Sequence, residues 1–465
     1  VSIHLPLFIL AVFTINAFAQ PLPERLNKVL KAYSVSRDHL GLAVIDLSKT
    51  PHPLEFGLNE KEPLTPASTT KIATAATVLR KLGPSFKFQT TLWSAGTVKD
   101  GVLKGDLILK GGGDPGFVSE TMWFLVNELV RTGITKIEGN VVVDDTDFDS
   151  IRNDPSRDPE RVDRAYDAPV GAMSFNWNSI NIFVRPAQMG EAPLVYLDPI
   201  GDGFSVINKA KTVNKAGTNI DVSRSGNKIR VSGTIGIGAK EFVSYKNIDH
   251  PDIWAGENLI FFLSQRDISV SGKIKSGKRP ESAKLLAKAD SKPVSEIVAD
   301  MMKFSNNFVA EMLTKNLAAQ AGTVPASIEA GMKIVRAHLV SLGLAEKNFT
   351  LLNPSGLSHK NKMRPVDLAL VLVKIYENFP LSAEFLSALP LAGTDGTLKN
   401  RMKSGDAAGW VRAKTGLLNG VVGLAGFAGR KDGSVRAFAF IFNGKTEQGD
   451  LVRRLFDQLA TELVQ

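Results

Sequence analysis

The 465-residue sequence contains no cysteine, which excludes a disulfide framework and a thiol nucleophile. Histidine is scarce: the six residues His4, His39, His52, His250, His338 and His359 are scattered, with no pair four apart and no HExxH. A zinc hydrolase is therefore not expected, and neither is a serine triad built on histidine, although triad members need not be neighbours in sequence. Long apolar runs are also missing. The opening stretch "VSIHLPLFILAVFTINAFA" falls short of the roughly 20 apolar residues a membrane-crossing helix needs, and no later stretch is long and uncharged enough.

That opening run ends in Ala17-Phe18-Ala19, the small-x-small form of a secretory cleavage site. The expectation is a signal peptide over residues 1–19, a mature chain from Gln20 and a periplasmic location without a transmembrane anchor. A buried N-terminal helix or strand is the alternative reading. An exported chain of this size does not need disulfide staples, and its length suggests about three units of ~150 residues.

Basic residues outnumber acidic ones by 56 to 47, a formal charge of +9. They are dispersed, the densest run being "KIKSGKRPESAKLLAKADSK" at 273–292, with no zinc-finger or RNP-like motif beside it. This reads as a solvated connecting segment, so no nucleic-acid partner is expected. For an exported protein, a cell-wall polymer bearing peptide carboxylates is the more accessible partner.

Along the chain, "PERLNKVLKAY" at 23–33 predicts an amphipathic helix burying Leu26, Val29 and Leu30, and "LGLAVIDLSK" a strand. The stretch "TPASTTKIATAATVLRKLG" at 65–83 is punctuated as a helix: Thr65 as N-cap, Pro66 at the first helical position, Gly83-Pro84 as the stop. Its expected buried stripe is Ile72, Ala75, Ala76, Leu79 and Leu82. From about 90 to 285 short strands separated by turns dominate, with one helical stretch at 118–132. Helices return after 293, and Asp432-Gly433 between two apolar runs signals a hairpin. The simplest architecture is a helix-and-sheet domain built from both chain ends, interrupted by a β-rich insertion.

Three short motifs carry chemistry. Serine is a weak nucleophile until a base takes its proton, and without a suitable histidine the remaining common base is a neutral lysine. Ser68 and Lys71, three apart at a helix start, share a face, and the unpaired N–H groups of a first turn favour developing negative charge. The spacing alone is weak, for it recurs at Ser225 and Lys228 within a turn. In "MMKFSNNFVAEML", Ser305 and Asn307 interrupt a helical pattern. Ser305 is placed to relay a proton between Lys71 and a leaving amine, and the Asn307 amide to hold a lysine or a substrate backbone. That pattern also recurs, at Ser174 to Asn176 and Ser179 to Asn181, where no strong helices flank it. In "WVRAKTGLLNG", Lys414 supplies a cation for a substrate carboxylate and Thr415 a hydroxyl, while Gly416 leaves room for a substrate backbone on a strand edge. The Gly-rich "LKGGGDPGF" is not a phosphate loop, because no Gly-Lys-Ser/Thr follows and Asp114 would repel phosphate; it reads as a turn.

In this order SxxK, SxN and KTG resemble the penicillin-binding protein and serine β-lactamase superfamily. "PASTTK", "GGGDPGF", "VVVDDTDF", "FSNNFVAEML", "NPSGLSHKN", "LPLAGTDGTLKNRM" and "VRAKTG" narrow the resemblance to the class C low-molecular-mass penicillin-binding proteins, D-Ala-D-Ala carboxypeptidases/endopeptidases of peptidase family S13. The resemblance implies an α/β (α+β) fold. Its serine β-lactamase/transpeptidase-like domain would comprise residues 20–90 and 290–465, with a β-rich insertion at 91–289 after the nucleophile helix.

It implies hydrolysis of D-alanyl peptide bonds in peptidoglycan stems and cross-links, covalent inhibition by β-lactam antibiotics, and no metal or cofactor. Ser68 would be the acylated nucleophile, Lys71 its base, Ser305 and Asn307 the relay and positioning pair, and Lys414, Thr415 and Gly416 the carboxylate-binding strand. The oxyanion hole would use the N–H groups of Ser68 and Leu417. Ser355 would line the cleft, and an acidic residue of the insertion, Asp144 with Asp145 as rival, would read diaminopimelate; a strand-ending acidic turn is the other reading of that pair. The family usually has Asp-Gly where this chain has Asn353-Pro354. A serine β-lactamase and an inactive cell-wall-binding module are the alternatives.

Overall fold

The computed structural model describes residues 20–156, 165–199 and 203–465; the apolar run at 1–19 and its expected cleavage site lie outside them. A five-stranded antiparallel sheet organises the two chain ends, in the order Val411–Leu418, Val421–Gly429, Val435–Asn443, Leu40–Asp46, Leu54–Leu58. Helices cover both faces, so every residue of Leu40–Asp46 is buried. Strand alternation sends Leu40, Leu42 and Val44 toward the helices Leu22–Ala32 and Gly449–Glu462, whereas Ala43 and Ile45 join the core of the opposite face. The first helix buries Leu26, Val29 and Leu30, as its periodicity predicts, and Gly433 closes the expected hairpin at φ +83°.

The opposite face holds the helix Lys71–Leu82, and here the expectation needs correcting. Residues Lys71 to Leu79 are buried without exception, including Thr74 and Thr77, rather than along one stripe. The helix is surrounded by the helices Val294–Lys303, Asn307–Gln320, Ile328–Ser341 and Pro365–Tyr376, so no face of residues 71–79 meets solvent. Thr74 and Thr77 satisfy their hydroxyls on the carbonyls of Pro354 and Ala73. Thr65 is not the N-cap either. A 3-10 turn, Ala67–Thr70, precedes the α-helix, and the Thr65 N–H donates to Asn443 Oδ1.

Among the described residues, strands between Gln89 and Asp290 pair only among themselves, chiefly in a seven-stranded mixed sheet and two smaller sheets. Among its described residues this region holds two long helices, Ser119–Val130 and Pro251–Ser264, where the sequence suggested one. The second is apolar around most of its circumference, which weakens the 3.6-residue signal. The basic run 273–292 also differs from expectation: it contributes the strands Ile274–Ser276 and Lys284–Asp290, its lysines alternating outward. The duplicate SxxK is a hairpin end, between strands Thr218–Ser225 and Lys228–Gly236.

Helix Asn307–Gln320 joins the two regions. Phe148, Ala168, Val170 and Ala172 pack into the same core as its apolar residues. Asn316 donates to Gly113 O at 2.7 Å, so the "LKGGGDPGF" segment is a docking turn, and buried Lys315 reaches Asp149 at 2.5 Å and Ile151 O at 2.8 Å. Among the described residues no helix is long and apolar enough to cross a membrane.

The loop that follows helix Ile328–Ser341 presses on the turn of Ala67 and Ser68 through Gly356. At φ +84°, a Cβ there would lie 2.0 Å from Ala67 O, whereas Gly433 at φ +83° faces open space. Gly433→Ala should therefore cost about 1 kcal/mol from the left-handed backbone alone, and Gly356→Ala about 2 to 4 kcal/mol with the overpacking added. Urea unfolding of both variants checks this; equal losses would mean that the loop does not bear on the turn.

Candidate active site

The 3-10 geometry of Ala67–Thr70 accounts for the pairing of Ser68 with Lys71. At three residues per turn, side chains three apart eclipse, and Lys71 Nζ stands 3.1 Å from Ser68 Oγ. Lys71, one 3-10 turn after Ser68, is thus the first residue of the α-helix proper. Ala67 is held at φ 47°, a left-handed conformation that costs a non-glycine residue roughly 1–2 kcal/mol. Gly356 lies against its carbonyl on one side and Gly416 against its methyl on the other, where an added Cβ would meet Ala67 Cβ at 3.3 Å. The nucleophile turn is thereby clamped between a loop and the edge strand.

Lys71 has no exposed surface. Its Nζ donates to Asn307 Oδ1 at 2.7 Å and to Ser355 O at 2.5 Å, and the same carbonyl lies 3.2 Å from Ser68 Oγ. Ser305, at φ 57°, breaks the chain between helices Val294–Lys303 and Asn307–Gln320, and the Asn306 side chain caps the second helix through the Val309 N–H. This break turns Ser305 Oγ toward Lys414 Nζ, 2.8 Å away. Asn307 therefore serves Lys71, and Ser305 sits beside Lys414.

Lys414 is fully buried, and burial pushes its amine down to about 7. Its Nζ also donates to Thr415 O at 2.7 Å, and Thr415 Oγ1 pairs with Thr397 Oγ1 at 2.8 Å. The strand Val411–Leu418 is an edge strand. Its first half is covered by the segment at 390–392, through Ala413 N–H to Pro390 O at 2.9 Å. Alternation turns the N–H groups of Thr415 and Leu417 to the same outer side, which has no strand partner there among the described residues. Gly416 has a different role from the one expected: a Cβ would lie 2.9 Å from Pro66 O, so the missing side chain admits the nucleophile turn, not a substrate.

Two expectations are corrected in detail. Ser355 does not line an open cleft with its side chain. It is fully buried, its Oγ donating to Asn353 Oδ1 at 2.7 Å and lying 3.3 Å from Glu311 Oε1; its contribution is its carbonyl. Asp144 is not brought into the cluster. It ends the strand Val141–Asp144 and borders a groove of about 770 Å³ lined also by Lys110, Asp147, Asp149, Lys278 and Arg279. Burial raises its carboxyl, but the Arg279 N–H, Thr146 and Lys110 outweigh this and hold it below the ordinary range. Asp145 is engaged by Arg152 and the Met173 N–H, and burial pushes it up to about 6. Both carboxylates thus hold neighbouring segments, Asp144 the Arg279 backbone and Asp145 the Met173 backbone.

Glu311, fully buried four residues after Asn307 and on the same helical face, is a site residue the motifs do not reveal. A lone acid in the apolar run "FVAEML" is the one signal of it. Asn353 stands out in sequence only as a departure from the family, yet its Oδ1 gathers the N–H groups of Ser355, Gly356 and Leu357 at 2.7–3.0 Å. Among the described residues no group of three or more histidine, cysteine or acidic side chains is placed to hold a metal. The arrangement is suited to acyl transfer: a hydroxyl beside an amine, a second amine beside a second hydroxyl, and outward N–H groups on a free strand edge.

Known proteins carry the same plan. The chain is 30% identical to the D-alanyl-D-alanine carboxypeptidase of Actinomadura sp. (strain R39), over 96% of this chain and 84% of that one. It is 29% identical to the D-alanyl-D-alanine carboxypeptidase DacB of Haemophilus influenzae, over 99% and 96% of the two. The crystal structure of penicillin binding protein 4 from H. influenzae superposes with a TM-score of 0.79 at 27% identity, covering 94% of this chain and 98% of that one. The predatory endopeptidase Bd3459 of Bdellovibrio bacteriovorus shares the fold at a TM-score of 0.55 and 17% identity. With residues 22–463 matching the model of that family, the chain belongs to the D-Ala-D-Ala carboxypeptidase 3 (S13) family.

Proposed function

We propose that the chain is a periplasmic serine DD-peptidase that removes terminal D-Ala from peptidoglycan stems, cuts D-Ala-diaminopimelate cross-links, and is acylated by β-lactams, all through Ser68. The observation that carries this reading is the 3.1 Å approach of a fully buried Lys71 Nζ to Ser68 Oγ. Only the free amine accepts a proton, so the role given to Lys71 requires that form.

In the forward step Lys71 takes the hydroxyl proton as Ser68 Oγ bonds to the D-Ala carbonyl carbon. The oxyanion is received by the N–H groups of Ser68 and Leu417, each such donor contributing about 10²–10³ in rate. The scissile C–N bond then breaks, and the leaving amine takes a proton through Ser305. Water then attacks the acyl carbonyl carbon, Lys71 takes its proton and hands it to Ser68 Oγ as the ester C–O bond breaks, so the acid product leaves and the hydroxyl and free amine are restored. The free edge of Val411–Leu418 supports binding of an extended peptide by strand addition. Lys414 and Thr415 beside it would hold the terminal carboxylate of a stem peptide. Support for β-lactam binding comes from the H. influenzae relative, whose structure was solved complexed with a novel β-lactam. A net charge of +9 favours approach to an anionic wall.

Digestion of purified peptidoglycan followed by muropeptide analysis tests the reading. The parent protein should release free D-Ala and convert cross-linked dimers to monomers, and Ser68→Ala should do neither; Lys71→Ala should be slower by about 10²–10⁴. Sacculi left unchanged by the parent, or still digested by Ser68→Ala, would overturn it.

The pH dependence tests the part given to Lys414. With its amine near 7 in the free protein, the cation that holds a carboxylate is present below that pH and lost above it. The kcat/KM for a carboxylate-ended peptide should therefore fall on the alkaline side, chiefly through KM, and Lys414→Arg should move that fall to higher pH because arginine stays charged. An alkaline limb of kcat/KM that Lys414→Arg leaves in place would contradict this role.

A further inference from the structure

Asp154 lies in the insertion, 86 residues after Ser68 in sequence, yet it is buried and its Oδ2 accepts a hydrogen bond of 2.7 Å from Asn353 Nδ2. Its other oxygen takes the N–H of Ser156 at 2.8 Å. Asn353, with no exposed surface, faces two ways. The amide nitrogen needs an acceptor and finds Asp154. The amide oxygen draws in three consecutive backbone N–H groups, those of Ser355, Gly356 and Leu357, together with Ser355 Oγ. Gathering those donors on one atom bends the loop so that Ser355 O points at Lys71 Nζ and Ser68 Oγ.

Resting on the reading of Ser68 and Lys71 given above, we propose that Asp154 is a positioning residue for the catalytic pair, acting from the insertion through Asn353 and the Ser355 carbonyl. A carboxylate in place of the Asn353 amide could gather the same N–H groups but would have no donor to offer Asp154. The asparagine is what makes the loop dependent on a residue of the insertion, and Asp154 is what fixes which way its amide faces. The insertion is then part of the catalytic framework. Loss of the tie frees the amide to turn, and a carbonyl displaced by even about 1 Å from Lys71 is enough for a rate loss on the order of a hundredfold.

Because the bond joins an acid to an amide, it can be reversed. In the double variant D154N/N353D the amide introduced in the insertion donates through its nitrogen to the carboxylate introduced in the loop. That amide keeps its oxygen for the Ser156 N–H, and the carboxylate gathers the loop. In N353D alone two carboxylates meet in a buried site, and in D154N alone either the Ser156 N–H or the Asn353 amide loses its acceptor.

The experiment measures the first-order acylation constant with benzylpenicillin for the parent, D154N, N353D and the double variant. The parent, with Ser68→Ala as its unlabelled control, decides the underlying reading: a parent that does not label Ser68 removes that reading, separately from this one. With the parent labelled, each single variant should acylate about tenfold or more slowly, at unchanged pre-covalent affinity, and the double variant within about threefold of the parent. N353D should also regain rate relative to the parent as pH is lowered, when the paired acids share a proton. Folded single variants that acylate like the parent, or a folded double variant as slow as the singles, would overturn the proposal. Should N353D fail to fold at neutral pH, its acylation relative to the parent at pH values where it does fold decides, absence of recovery counting against the proposal.

Discussion

Lys71 carries an amine into a place with no solvent contact, and three separate stretches of chain supply the oxygens that surround it: Ser68 from its own turn, Asn307 from a helix start and Ser355 from a loop carbonyl. An amine taken out of water without such partners would cost several kcal/mol. The fold is arranged around meeting that requirement. The sheet built from both chain ends presents Gly416 and Gly423 to the nucleophile turn, where side chains would collide with Pro66 and Thr69. The helix break at Ser305 lets Asn307 begin a new helix directly over the lysine. Gly356 brings the third oxygen close. Remove any of these and the lysine loses a partner that water cannot replace.

The second amine follows the same logic with a different outcome. Lys414 is equally buried but is engaged by Ser305 and by the carbonyl next in its own strand. Two amines thus share one centre while keeping separate partners. In the function proposed above, that separation lets one handle the serine's proton while the other meets the substrate's charge.

Much of this is legible in sequence, for identifiable reasons. SxxK, SxN and KTG are side-chain motifs, and although SxxK and SxN recur by spacing alone, their order and the strongly patterned helices and strands flanking them make Ser68, Lys71, Ser305, Asn307 and Lys414 stand out. What is not legible is mostly backbone. Ser355 acts through a carbonyl, which every residue has. Ala67 adopts a left-handed conformation without being glycine. Gly416 looks like space for a substrate, and only the packing shows that the space belongs to Pro66 and Ala67. The hydrogen bonds that Asp144 and Asp145 make to Arg279, Thr146 and Met173 are likewise not readable from sequence. The pairing of Asp154 with Asn353 spans 199 residues and leaves no periodic trace.

The central claim is that Ser68 is the group this framework activates, and intact-protein mass spectrometry after incubation with benzylpenicillin tests it most directly. The account predicts one adduct per molecule, carried after trypsin on the peptide of residues 62–71 and placed by fragmentation on Ser68 rather than on Thr65, Thr69 or Thr70. No adduct, or an adduct on any other peptide, would contradict it.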